Sequence, residues 1–292
     1  MRIQGGLGNQ LFEYVAALEL ACQRSSDVVV YGSETAIESL EHALGLTLAR
    51  VEKRFDTSVP AVLRPDATPA MVRLSIRMMG RAASWQSNLL RQSPTTSHDP
   101  PPSSYGRLIN SKRPVVLDGY FQHPQYAARA TQEVATALAD RVTGAHVRPG
   151  TIGVHLRRGD YVTLGYQLSI DFYETAVTQI DPKHRCSVLV ASDDRMAAAH
   201  LCDRLQALGW QAELAEGTRE PHEDMLTLAS CQHYVMSNST YSWWAANVGD
   251  IVWSGHGRVV ISPDPWAPGH GQPTPPGRWH SLRALLERDQ IP

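Results

Sequence analysis

The stretch TIGVHLRRGDYV, Thr151 to Val162, decides the fold. It opens as a continuous apolar run, the pattern of a strand buried on both faces. It then crowds His155, Arg157, Arg158 and Asp160 around Gly159. A buried strand that empties into two guanidinium groups needs a chemical reason, and the rest of the chain supplies the setting.

Downstream, strands and helices alternate. SIDFYETAVTQI is a helix with Phe172, Ala176, Val177 and Ile180 on one face. The strand CSVLVA runs into Ser192, Asp193 and Asp194. The helix RMAAAHLCDRLQALG ends at Gly209, a C′ glycine. A short strand QAELA, a helix HEDMLTLASC and a strand HYVMS follow. That strand runs into Asn238, Ser239 and Thr240, then into a helix containing YSWWAANVG, a strand RVVIS and a terminal helix SLRALLERD. Strand–helix alternation with continuous apolar strands predicts a mostly parallel sheet covered on both faces. Such sheets bind ligands outside the carboxyl ends of their strands. The clusters HLRRGD, SDD and SNST all fall at those ends, which predicts one shared crevice.

The first half is less regular. Only MRIQ precedes QGGLGNQLFEYVAALELACQR, so a first strand there is very short, or the true start lies upstream. The glycines make a turn, and Leu11, Val15, Leu18 and Ala21 follow at helical spacing. DVVVYG is a short strand. Glu34 to Arg91 is helix-biased with breaks, and Gln92 to Gly106 is a proline-rich loop. RPVVLDGYFQ suggests a buried strand, ATQEVATALADRV an amphipathic helix through Val134, Leu138 and Val142, and VRPG the end of the half.

Length and composition bound the function. The 292 residues suit two domains, and the net charge of −2 argues against a nucleic-acid partner. Cys22, Cys186, Cys202 and Cys231 form no Cys-x-x-Cys pair, so reduced, buried thiols are expected. No signal peptide and no apolar run of membrane-spanning length occur, which points to the cytoplasm. Contact with the inner membrane stays open through Val72 to Arg91. There Arg73, Arg77 and Arg81 recur every four residues beside Met78, Met79 and Trp85. A solvated helix face is the plainer reading of that stretch.

Guanidinium forks match phosphate oxygens, while a structural ion pair with Asp160 is the plainer alternative. Gly5, Gly6 and Gly8 before a helix can turn backbone amides toward an anion, or simply form the turn. Asp193 and Asp194 suit the arginines or cap the next helix, as Ser237, Asn238 or Ser239 could cap theirs. Asp224 suits the donors of guanine or merely sits in a favourable first helical turn. Trp243 and Trp244 would point to different sides of a helix, as core or as a sugar platform. No Asp-x-Asp pair occurs to hold a metal-bound diphosphate.

GGLGNQLFEY, DGYFQ, HLRRGDYV, SDD and SNSTYSWWAA occur in the order found in α-1,2-fucosyltransferases, and from Gly5 to Trp266 the chain resembles glycosyltransferase family 11. The resemblance implies an α/β, GT-B-type architecture of two Rossmann-like domains facing a cleft. Residues 1–150 would form the acceptor side and 151–292 the GDP-fucose-binding side. It implies GDP-fucose as donor, the 2-hydroxyl of a galactose-terminated glycan as acceptor, inversion at the anomeric carbon, and no cofactor or obligatory metal. Arg157 would hold the β-phosphate, with Arg158 and Asp160 as further catalytic candidates. His155 and Asp224 would read guanine. Ser239 and Thr240 would help bind the diphosphate, and Gly6, Gly8 and Asn9 would approach the phosphate or fucose. Asp193, Asp194 and Asn238 complete the donor-binding candidates. Two departures stand out. Glu13 replaces the family's usual glutamine, and no carboxylate lies between Asp160 and Asp171. The base is then Asp160 or an oxygen of the leaving phosphate. A fucosyltransferase of another linkage and a non-catalytic nucleotide-sugar or glycan-binding module remain as alternatives.

Overall fold

The computed structural model describes residues 1–50, 126–143, 147–181, 185–217, 220–266 and 276–284, together with 109, 117, 119–122 and 183. The chain divides into two compact units, Met1–Val134 with Gly269–Pro273 and Ala135–Pro268 with Thr274–Pro292.

In the first unit a two-residue strand β1 (Arg2–Ile3) pairs in parallel with β2 (Tyr31–Gly32), and α1 (Leu7–Arg24) connects them. The turn into α1 uses Gly5 at φ +70°, and Gly6 stands at the open N-cap. Leu11 and Val15 are fully buried. In α2 (Glu34–Leu44) the Ser33 hydroxyl accepts from the Ala36 amide at 3.3 Å. That bond satisfies one of the helix's free amides, and Gly45 in the left-handed region ends the helix. Leu117 accepts from the Arg2 amide at 3.0 Å. Of the strand expected over RPVVLDGYFQ, 113–116 and 118 lie outside the described residues, and the described 117 and 119–122 are in no strand; the loop from Gln92 to Gly106 and the arginine-rich stretch from Val72 to Arg91 also lie outside the described residues.

α3 (Ala128–Thr143) begins in the first unit, where its Ala130 amide donates to Glu19 Oε2 at 3.0 Å. Val134, Leu138 and Val142 are buried as the helical spacing predicts.

The second unit carries the regular alternation: β3 (Arg148–Leu156), α4 (Gly159–Leu164), α5 (Ile170–Ile180), β4 (Ser187–Ser192), α6 (Arg195–Ala207), β5 (Gln211–Leu214), α7 (Pro221–Ala229), β6 (Cys231–Val235), α8 (Thr240–Val252), β7 (Val260–Asp264) and β8 (His280–Arg283). The strands form one parallel sheet in the order β5-β4-β3-β6-β7-β8. This is the doubly wound order, and it reverses direction between β3 and β6. Ile152, Val154 and Leu156 of β3 pack with Phe172 and Val177 of α5 and with Leu201 and Leu205 of α6. Each fully buried aliphatic side chain contributes about 1.5–3 kcal/mol.

Three expectations are corrected here. VRPG does not end the first half: Arg148 to Gly150 are the first residues of β3, and Arg148 pairs with Cys231. SLRALLERD does not open as a helix. Ser281 to Arg283 lie in β8, paired with Ser262, Pro263 and Asp264, because a free sheet edge outweighs local helical spacing. Its remainder from 285 onward lies outside the described residues. α4, six residues long, was not anticipated in RRGDYV. Of the four free cysteines, Cys202 and Cys231 are buried, but Cys22 is exposed. No described helix is long and apolar enough to cross a membrane.

Candidate functional site

Where the strand order reverses, the loops after β3 and β6 meet at the sheet's carboxyl edge, the place where doubly wound sheets bind their ligands. The β3 loop carries Arg157, Arg158 and Asp160; the β6 loop carries Ser237, Asn238 and Ser239. The loop after β4, next to β3, brings Asp193 and Asp194.

The arginines do not stand alone. Arg157 donates Nη2 to Asp160 Oδ1 at 2.6 Å, and its Nη1 lies 2.6 Å from Asp193 Oδ2. Its guanidinium sits 5.5 Å from the centre of the Tyr161 ring. The other oxygen of Asp193 accepts from the Arg158 amide at 2.8 Å. Arg158 Nε lies 3.8 Å from Asp194 Oδ2. Asp194 caps α6, its Oδ1 accepting from the Ala197 amide at 3.0 Å. Asp193 therefore holds the arginines rather than facing outward as a donor ligand. Gly159 makes this possible: at φ +22°, a Cβ there would stand 2.6 Å from Asp193 Oδ2.

Tyr161 donates its hydroxyl to the Asn238 carbonyl at 3.0 Å. Burial pushes this phenol up to about 12, which keeps it a proton donor. The Asn238 amide donates in turn to the Tyr166 carbonyl at 2.8 Å, while its Oδ1 is buried without a hydrogen-bond partner among the described residues. Neither Ser237, Asn238 nor Ser239 caps α8 with its side chain. Ser239 is the N-cap residue without a side-chain bond, and the Ser237 hydroxyl meets His155 Nδ1 at 3.1 Å. The first turn of α8 carries no acid, so its amide end, beginning at Ser239 and Thr240, keeps its partial positive charge.

His155 is buried, and burial first and the Arg157 charge second pull its pKa down to about 3. It is a neutral imidazole at pH 7. Its ring lies 5.1 Å from that of Tyr241. Tyr241 donates to the Pro221 carbonyl at 2.7 Å, and burial, then the nearby Asp224 charge, raises its pKa well above the phenol value. Asp224 sits in the first turn of α7 as predicted. His155 thus packs on Tyr241, and the Asp224 charge acts on the phenol of the same residue. Trp243 and Trp244 are both buried, in edge-to-face contact at 5.5 Å.

Gly6, Gly8 and Asn9 belong to the first unit. Gly6 is exposed at the N-cap, and Gly8 is buried within α1. Asn9 Oδ1 accepts from Gln122 Nε2 at 3.0 Å, which joins the GGLGNQ turn to DGYFQ. Glu13 is fully buried and accepts from the Gln4 amide at 2.9 Å, closing the same turn.

Sequence reasoning gave no role to Tyr161, Tyr166 or Tyr241. The signal available was position alone: Tyr161 and Tyr241 lie inside the quoted motifs HLRRGDYV and SNSTYSWWAA, and Tyr166 lies four residues beyond the first. Among the described residues, no three His, Cys, Asp or Glu side chains are grouped to hold a metal ion.

Two guanidinium groups, an acid-free helix end and a neutral histidine meet at a doubly wound switch point, an arrangement chemically suited to an anionic ligand. The fold is that of a GT-B-type glycosyltransferase built from two Rossmann-like α/β units. Over 97% of this chain and 89% of the other, it is similar to the ADP-heptose lipopolysaccharide heptosyltransferase II of Escherichia coli, with a TM-score of 0.51 and 14% identity. The sequence model of Glycosyl transferase family 11 matches residues 102–262, more than half of the chain, and the chain belongs to that family. It is 21% identical to the E. coli O-antigen biosynthesis glycosyltransferase WbnK over 92% of this chain and 95% of the relative. It is 24% identical to an E. coli alpha-1,2-colitosyltransferase, covering 91% of each. It is 26% identical to the Bos taurus galactoside alpha-(1,2)-fucosyltransferase 2, covering 89% of this chain and 72% of the relative.

Proposed function

We propose that this glycosyltransferase moves L-fucose from GDP-fucose to the 2-hydroxyl of a terminal galactose in an oligosaccharide or lipid-linked glycan, with inversion and without a metal. The observation that carries the reading is the arginine pair at the end of β3, on the same edge of the sheet as the acid-free end of α8. In the proposed reaction the bond from the anomeric carbon to the β-phosphate oxygen breaks, and its electron pair stays on GDP. Arg157 and Arg158, with the α8 amides, stabilise the charge that develops there. The galactose oxygen bonds to the opposite face of the same carbon. Its proton passes to Asp160 or to the leaving phosphate. His155 and Asp224, joined through Tyr241, are assigned to the guanine edge. The bovine relative's name agrees with fucose and a galactoside.

The colitosyltransferase relative favours a second reading, transfer of colitose by the same 1,2 chemistry. A screen of galactosyl acceptors against GDP-fucose and GDP-colitose, followed by linkage analysis, tests both. A 1,2-fucosylated galactoside is expected. A product from GDP-colitose alone would select the second reading, and no transfer from either donor would overturn both.

A further inference from the structure

Arg157 lies between two carboxylates whose circumstances differ. Asp193 is engaged twice, with one oxygen on the Arg158 amide at 2.8 Å and the other on Arg157 Nη1 at 2.6 Å. Its side chain is 28% exposed, and the missing Cβ of Gly159 makes room for it. Asp160 meets only the other arm of the same guanidinium, Nη2 at 2.6 Å, and is 61% exposed.

The charge count sharpens the contrast. Two guanidinium groups here face three carboxylates, Asp160, Asp193 and Asp194. Counted with the loop after β4, the two guanidinium groups have no positive surplus for a phosphate. Asp194 is tied to α6 as its cap, and Asp193 is tied to the backbone it braces. Asp160 can leave into water at small cost, because exposed ion pairs contribute little. The donor's β-phosphate carries one negative charge, as a carboxylate does, but offers more acceptor oxygens to the guanidinium, and its charge grows as the bond to fucose breaks.

We propose that Asp193 is a positioning residue that fixes one arm of Arg157, and that Asp160 holds the other arm only until the donor's β-phosphate displaces it. The inference rests on the nucleotide-diphosphate reading above and adds a built-in competitor for the same guanidinium. The competitor keeps Arg157 forked and aimed.

Calorimetric titration of the full chain with GDP and with GMP, which lacks the β-phosphate, tests this. Asp160→Asn should bind GDP about two- to fivefold more tightly, the range an exposed ion pair allows, with GMP unchanged. Asp193→Asn should bind GDP about tenfold more weakly, again with GMP unchanged. Unchanged or weakened GDP binding by Asp160→Asn, or an equal shift for GMP, would overturn the proposal. If Asp193→Asn fails to fold, Asp160→Asn alone decides. The same Asp160 effect on ADP or UDP, with GDP excluded, would overturn the guanine reading and support the exchange. A wild-type chain that binds no nucleoside diphosphate would overturn both.

Discussion

Tyr161 and Asn238 are joined by a hydrogen bond of 3.0 Å from phenol to backbone carbonyl, and it spans the line where the strand order reverses. It couples the arginine loop to the loop that begins α8. Tyr161→Phe keeps the ring beside Arg157 but removes this tie. A loss of about 1 kcal/mol of stability is expected in urea unfolding. Tyr161→Leu, which also removes the aromatic face, should lose more turnover than Tyr161→Phe. Equal turnover in the two variants would show that the ring does not act on Arg157.

Arg157→Lys keeps a positive charge and loses the fork. Its two Nη atoms reach two different carboxylates, and a point charge cannot replace both arms. Turnover should fall about 100-fold, mainly in kcat, since the stabilised charge develops in the transition state. Arg158→Lys should be milder. A reversed ranking in steady-state assays would exchange the two roles.

Transfer should continue at nearly full rate in excess EDTA. The adjacent carboxylates that could have chelated an ion are otherwise engaged: Asp193 braces both arginines, and Asp194 caps α6. Inactivation by chelator with rescue by manganese would overturn the metal-free reaction.

His155 should make the protein acid-sensitive. Its folded pKa is about 3, against an ordinary value of 6.5. The unfolded chain therefore binds the proton first as pH falls. Stability is fully present above pH 6.5 and is lost progressively from there toward pH 3. The loss attributable to this residue should reach about 2 kcal/mol by pH 5. Urea midpoints of the wild type and His155→Gln, measured at pH 7.5 and pH 5, check it. The variant should lose less stability over that interval.

Gly159→Ala puts a Cβ 2.6 Å from Asp193 Oδ2 on a residue at φ +22°. A cost of about 2 kcal/mol is expected from the backbone alone. Turnover should fall with it, as Asp193 is pushed off Arg157. Full activity in a stably folded variant would separate Asp193 from the reaction.

Much of the second unit was legible because β3, β4 and β6 are short apolar runs that end in polar clusters. Period and position together fix the strands and the edge where their loops meet. Asp194 as a cap was legible for the same local reason. What Asp193 and Asn238 do was not. Whether a carboxylate faces a ligand or a neighbouring arginine depends on the approach of two loops far apart in sequence. Glu13 shows the same limit: it looks like a small change on a helix, yet it is buried and closes the glycine turn. SLRALLERD fooled the helical period because the pairing of β8 with β7 is a tertiary event.

The strand order also governs when the site can exist during synthesis. β3 is made early, but one of its two neighbours is β6, and six helices and strands are translated between them. A nascent chain that ends after β5 already holds Arg157, Arg158 and Asp193. It lacks Asn238, Ser237 and the end of α8. Such long-range pairing slows folding. The arginine loop therefore waits for its far wall, and a ribosome-bound fragment short of Asn238 has the charges of the site without its shape.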